Sequence, residues 1–161
     1  MPDDGAALLT TWRGTVLPQW VDYNGHLNDA YYMVVFSEAT NALMGMIGLD
    51  DAGRKATGHT IYTLEAHINY LQEVRQDVAI VVRTQILGSD AKRLQIYQTL
   101  HRADDDTLLA ANEQMLLNID VSGPRAAPFA PTVSARVQML TLAHKRLPRP
   151  KYAGRAIALP G

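Results

Sequence analysis

The stretch YYMVVFSEATNALMGM, residues 31–46, restricts the fold more than any other part of the chain. It contains no proline, and its only glycine is Gly45 near the end, so nothing interrupts a helix that starts at about Asp29. At ~100° per residue, Ser37, Glu38 and Asn41 share one narrow face while aromatic, Met, Val, Leu and Ala side chains cover the rest. An apolar face that wide needs cover on several sides, so the remaining chain must wrap the helix. Gly45 and Gly48 stop it, and LDDAGRKATG reads as a loop.

The wrapping material is β-structure. HTIYTLEAHINYL, from His59, alternates so that Tyr62, Leu64, Ala66, Ile68 and Tyr70 share one face, with Thr63, Glu65, His67 and Asn69 on the other. DVAIVVRTQIL at 77–87, RLQIYQTLHR at 93–102 and LLAANEQMLLNID at 108–120 are separated by GSDAK and ADDDT turns and predict an antiparallel meander. The last of them is rich in good helix formers, but its place in the series favours a strand. Upstream, Arg13 to Leu17 form a short strand candidate that Pro18 ends. The expected class is α+β, a long central helix wrapped by a curved antiparallel sheet, with a C-terminal helix over TVSARVQMLTLAHKR. Residues 1–11 read as a loose leader, 12–121 as the main domain, and 122–161 as a Pro-rich connector, the helix and a poorly ordered tail.

Charge narrows the partners. Lys plus Arg number 15 against 16 Asp plus Glu, with no long block of either sign, so nothing favours a nucleic-acid backbone or a membrane surface. No apolar run approaches the ~20 residues of a membrane span, and the expectation is a cytoplasmic protein with a small-molecule partner. With no cysteine, thiolate metal sites and a cysteine nucleophile are excluded. His59, His101 and His144 lack metal-ligand spacing and read as surface or loop residues, so no metal is expected. Lys92 and Arg93 sit at a turn, normally solvated, where the phosphates of a ligand could also be met.

WVDYNGHLNDAYY, residues 20–32, carries the chemistry. An ordinary reading makes it a strand-to-helix turn, with Asp22 and Gly25 as turn formers and Asn28 or Asp29 as helix N-cap. The catalytic reading makes Asp22 a base or nucleophile, with Asn24 and His26 orienting it or a water. Backbone N–H groups after Gly25, at Leu27 and Asn28, then lie where a helix N-terminus offers donors to an oxyanion. A carboxylate beside such donors suits acyl transfer from a thioester, whose carbonyl is more electrophilic than an amide's.

The order short strand, Asp-x-Asn-x-His turn, buried helix and long strands resembles the hotdog-fold acyl-CoA thioesterases of the 4-hydroxybenzoyl-CoA thioesterase type over roughly residues 12–121. The resemblance implies that Asp22 is the catalytic carboxylate, that a backbone N–H among Gly25, Leu27 and Asn28 polarises the carbonyl, and that a homodimer or tetramer carries the site at a subunit boundary. It implies an acyl-CoA substrate and no cofactor other than the CoA that the substrate brings. WVDYNGHLNDAYY, YTLEAHINYL and DAKRLQIYQTL are similar, more narrowly, to the betainyl-CoA thioesterases of carnitine breakdown. That likeness implies an acyl pocket for a trimethylammonium group, built from aromatic faces and a carboxylate. Trp20, Tyr23, Tyr31, Tyr32 and Tyr62 supply aromatics, and Glu65 or Glu38 supplies charge. Rival readings are a hotdog enoyl-CoA hydratase of the MaoC type, whose motif carries a Pro and places the His one residue later, and a non-catalytic acyl-CoA-binding module.

Overall fold

A computed structural model describes residues 7–161. Strand β1 (Leu9–Thr15) leads through a 3-10 turn (Pro18–Trp20) into helix α1 (Asp29–Met46), a short helix α2 (Asp51–Thr57) and strands β2 (His59–Tyr70), β3 (Ala79–Ser89), β4 (Arg93–Arg102) and β5 (Leu108–Asp120). A two-residue β6 (Arg125–Ala126) and helix α3 (Pro131–His144) follow. The sheet order is β1-β3-β4-β5-β2, antiparallel throughout, with β6 on β5. This is the hotdog arrangement, and β2, the second longest strand, forms one of its edges.

Helix α1 is buried as its sequence requires. Tyr32, Val35, Phe36 and Ala39 pack on Ile80, Val82 and Leu100, while Leu43 and Ile47 meet Ile86, Ile96 and Leu116, closed off by Val133 and Val137 of α3. Ser37, Glu38 and Asn41 stay exposed. Between the two clusters lies a buried polar layer, in which Gln98 Nε2 donates to Thr40 Oγ1 (3.1 Å) and Asn112 Nδ2 donates to Gln98 Oε1 (3.1 Å). Those bonds fix the helix against β4 and β5, because sliding by one residue would leave the amides unpaired.

Four expectations are corrected. β1 starts at Leu9, so residues 9–11 of the expected leader belong to the sheet, and the strand ends before Val16 and Leu17. Thr11 is buried there, bonded to Thr84 Oγ1 at 2.9 Å. Residues 1–6 lie outside the described residues. The LDDAGRKATG loop contains α2, whose signals are all local: Asp50 accepts from Gly53 N (2.8 Å), Asp51 pairs with Arg54 and Lys55 (both 3.2 Å), and Gly58 ends it at φ 69°. β2 carries a bulge at Leu64, since Thr63 pairs with Leu116 and Glu65 with Met115. The extra residue reverses the alternation, so Tyr62 shares the outer face with Glu65 and His67, while Ala66, Ile68 and Tyr70 face inward.

The fourth correction is His144, which is buried, 2 % exposed, rather than on the surface. Its Nδ1 accepts the Ile86 N–H at 2.8 Å, which obliges the proton onto Nε2, and Nε2 donates to the Ala7 carbonyl at 3.2 Å. The ring therefore ties α3 to the bulge of β3 and to the chain entering β1. Burial pushes its pKa below the usual 6.5, against the opposing pull of the Ala7 bond. A base held neutral in this way stabilises the fold fully above the unfolded value and loses that contribution as pH falls through about 6.5 toward the folded value. Urea unfolding should thus show stability declining from pH 7.5 to pH 5. His144→Leu should cost about 1–3 kcal/mol at pH 7.5, because the Ile86 N–H and Ala7 carbonyl lose their partner. The same variant should flatten part of the pH dependence; an unchanged slope would remove His144 as its source.

Candidate active site

The loop between the 3-10 turn and α1 is built by its own polar side chains. Gly25 takes φ +76°, which closes a tight turn in which Gly25 N–H donates to the Asp22 carbonyl (2.9 Å) and Asp22 N–H to the His26 carbonyl (2.9 Å). Asp22 Oδ1 accepts the N–H groups of Asn24 (2.8 Å) and His26 (3.2 Å). The turn-former reading of Asp22 is therefore physically correct, and it occupies one carboxylate oxygen. The other, Oδ2, makes no hydrogen bond among the described residues, and Asp22 lines an open cleft of about 440 Å³. The β2–β3 connection forms the opposite wall: Leu27 N–H donates to the Val74 carbonyl (2.8 Å) and His26 bridges to Arg75.

Helix α1 starts at this wall. Asn28 is the N-cap, with φ −66°, ψ 143° and its Oδ1 accepting from Ala30 N (3.0 Å). The donors expected for an oxyanion are already used. Gly25 N–H binds Asp22, Leu27 N–H binds Val74, and Asn28 N–H binds the Trp20 carbonyl at 3.0 Å. The free donor is one residue further on: Asp29 N–H, the first of the helix, has no hydrogen-bond partner among the described residues, and Asp29 lines the same cleft as Asp22. Hydrogen bonds that zip the loop thus moved the available N–H from the turn to the helix.

Around this point the cleft is acidic and aromatic. Asp22, Asp29 and Glu73 line it with no Lys or Arg, and His26 Nδ1 stands 3.2 Å from Glu73 Oε2. Tyr32 and Tyr70 meet edge to face, with centroids 5.1 Å apart at 86°. Tyr32 OH donates to the Gln72 carbonyl (3.2 Å) and Tyr70 OH to the Asp29 carbonyl (3.0 Å). Burial, then Tyr70 and Glu73, push the Tyr32 hydroxyl up to about 12, and burial, then Asp29, raise Tyr70 as well. Both phenols stay neutral donors that position the wall.

The expected acyl-binding set is mostly dispersed. Tyr32 alone is in the cleft. Trp20 is buried in the core, 6.3 Å from both Trp12 and Tyr31 in one aromatic row, and Glu38 accepts from Trp12 Nε1 at 2.6 Å. Tyr23 is 98 % exposed at the turn tip, and the Asn24 side chain is also in solvent, contributing only its backbone N–H to Asp22. Tyr62 and Glu65 lie on the outer face of β2. Sequence reasoning missed Asp29, Tyr70 and Glu73 as cleft residues. The end of the alternating β2 pattern gave a signal for Tyr70, whereas Glu73 sits in an irregular connection with no periodicity to mark it.

Comparison with known proteins shows the family and supports the fold. The profile of the Thioesterase-like superfamily matches residues 16–137. The chain is 53 % identical over 153 residues to a betainyl-CoA thioesterase of Pseudomonas aeruginosa, covering 95 % of this chain and 96 % of that protein. It is 36 % identical over 138 residues to an L-carnitine dehydrogenase/betainyl-CoA thioesterase of Rhizobium meliloti, covering 86 % of this chain but 28 % of the longer protein. Among solved structures, the Staphylococcus aureus protein SAV2348 in complex with CoA superposes with a TM-score of 0.89 at 30 % identity, over 96 % of each chain.

Proposed function

The chain belongs to the Thioesterase-like superfamily, and from that premise we propose that it hydrolyses betainyl-CoA, or a short acyl-CoA like it, at the cleft of Asp22 and Asp29. At the coarser level it is an acyl-CoA thioesterase. The observation that carries the reading is the meeting of an under-used carboxylate oxygen and an unpartnered helix N-terminal N–H on one cleft. A thioester carbonyl whose oxygen faces the Asp29 N–H is polarised by a donor fixed in advance. Asp22 Oδ2 then either attacks the carbonyl carbon, so that the C–S bond breaks, CoA leaves as the thiol after taking up a proton, and water hydrolyses the acyl–Asp22 anhydride to the acid, or it takes a proton from a water that attacks the same carbon, so that the C–S bond breaks and the acid and CoA thiol are released directly. Hydroxylamine separates the two routes, since only attack by the carboxylate forms an acyl–Asp22 anhydride that it can trap in a single turnover. No cofactor takes part, and the site of action is the cytoplasm.

Tyr32 and Tyr70 with Asp29 and Glu73 suit a cation that cannot donate a hydrogen bond, since π faces and carboxylates reward fixed positive charge. Each desolvated aromatic contact is worth about 0.5–2 kcal/mol, so kcat/KM should favour betainyl-CoA by about 10–100-fold over 3,3-dimethylbutyryl-CoA. That neutral analogue has carbon in place of nitrogen and the same shape. Thiol release from a panel of betainyl, 3,3-dimethylbutyryl, long-chain and aromatic CoA thioesters tests both levels. Equal kcat/KM for the first two would reject charge recognition and leave the thioesterase standing; hydration of an enoyl-CoA without thiol release would favour the hydratase.

The working form in this reading is a dimer joined at β2. Its 12 residues have hydrogen-bonding groups unpaired along one side, with Tyr62 and Leu64 about half exposed, and Tyr70 of that strand lines the cleft.

A further inference from the structure

The segment after α3 is not a loose tail but a strap across the outer face of the sheet. Gln85, Tyr97, Glu113 and His67 are consecutive cross-strand partners on β3, β4, β5 and β2, so they form one row that face presents. The strap is bonded along that row in order. Gln85 Nε2 donates to the Pro148 carbonyl (3.2 Å), the Tyr97 hydroxyl meets the Tyr152 backbone, and Glu113 Oε2 accepts the Gly154 N–H (2.6 Å). Gln95 Nε2 holds the other oxygen of Glu113 at 3.0 Å. Gly154, at φ +70°, is where the chain turns, and a side chain there would strike the Arg149 guanidinium.

Beyond that turn the chain heads for the β2 edge. Arg155 shares a hollow with Glu65, His67 and Glu113. Ile157 and Leu159 follow, 92 % and 94 % exposed, with no surface of their own protomer beneath them. Just past the row they leave lies the edge strand, with half-exposed Tyr62 and Leu64. Two β2 strands paired edge to edge would continue the outer face without a step, and each strap would run onto its neighbour's sheet.

We propose that residues 155–161 form an arm that crosses the β2 seam and docks Ile157 and Leu159 on the outer sheet face of a second copy of this chain. The proposal rests on the β2-edge dimer described above. Arg155, at the hollow that Glu65 and Glu113 also line, is where the arm leaves the strap, and the two-fold axis makes the exchange reciprocal, so the two arms of a dimer dock the same pair of apolar side chains each.

Sedimentation and subunit exchange between tagged and untagged protein test it. The Ile157→Ser, Leu159→Ser double variant changes only side chains that are solvent-exposed in the protomer, so folding is not at issue. It should weaken the dimer by about tenfold or more and speed exchange by a similar factor, because two apolar anchors per arm are lost. A photo-crosslinking residue at position 157 in mixed isotope-labelled dimers should join peptides of different chains, on β2 or β5. A monomeric wild type would overturn the dimer and the arm together. A wild-type dimer with unchanged exchange in the double variant, or with crosslinks confined to one chain, would overturn the arm while leaving the dimer in place.

Discussion

Asp22→Asn should lower kcat for acyl-CoA hydrolysis by about 10²–10⁴-fold, the usual cost of a lost general base, and by more if the carboxylate is the nucleophile. The amide oxygen of the variant can still accept the Asn24 and His26 N–H groups at the Oδ1 position, so the turn survives while the working oxygen becomes an NH₂ group. The loss should therefore fall on kcat, with CoA affinity and urea stability close to wild type. Wild-type turnover in this variant would remove Asp22 from the chemistry. Collapse of the fold would instead show that its turn-forming role dominates, and Asp22→Ser, which keeps a short acceptor, then separates the two roles.

Asp29→Pro should be the second large loss, about 10²–10³-fold in kcat, the range seen when one oxyanion donor is deleted. Proline is ordinarily ruinous in a helix, but Asp29 is its first residue, where the N–H has no intrahelical partner and a fixed φ suits the helix. Asn28 is already extended at ψ 143°, the conformation a following proline demands. The substitution therefore removes one N–H and little else from the backbone. Asp29→Ala is the control, since it deletes the same carboxylate and keeps the donor. Similar turnover in the Pro and Ala variants would show that Asp29 N–H does not contact the reacting oxygen, and a large deficit confined to Pro would show that it does.

The contrast between Asp22 and Asp29 shows how far a local pattern carries. Asp22 was legible because a carboxylate two residues before an Asn and three before a Gly makes a turn, and such turns are where the helix N-terminus must lie. Which N–H stays free was not legible. It depends on Val74 and Trp20 taking the protons of Leu27 and Asn28, and Val74 is 47 residues away from Leu27 along the chain (74 − 27).

The same division runs through the molecule. Sequence by itself determined the buried helix, because a side-chain stripe covering most of a helix has no other stable fate, and the meander, because β-branched runs between short polar turns pair with their neighbours. It determined α2 as well, though its Asp50 cap and Gly58 stop were read as loop residues. Tertiary structure alone decided the bulge at Leu64, which moved Tyr62 away from Tyr70, and the burial of His144, which depends on the Ile86 N–H and Ala7 carbonyl. It alone brought Glu73 and Tyr70 to Asp22 and drew the Pro148–Gly154 strap along the outer sheet face. The physical reason is range. Periodicity and capping are set by residues within a few positions of one another, whereas each of these placements is set by a hydrogen bond or a pairing register between segments that meet only after the sheet has closed around the helix.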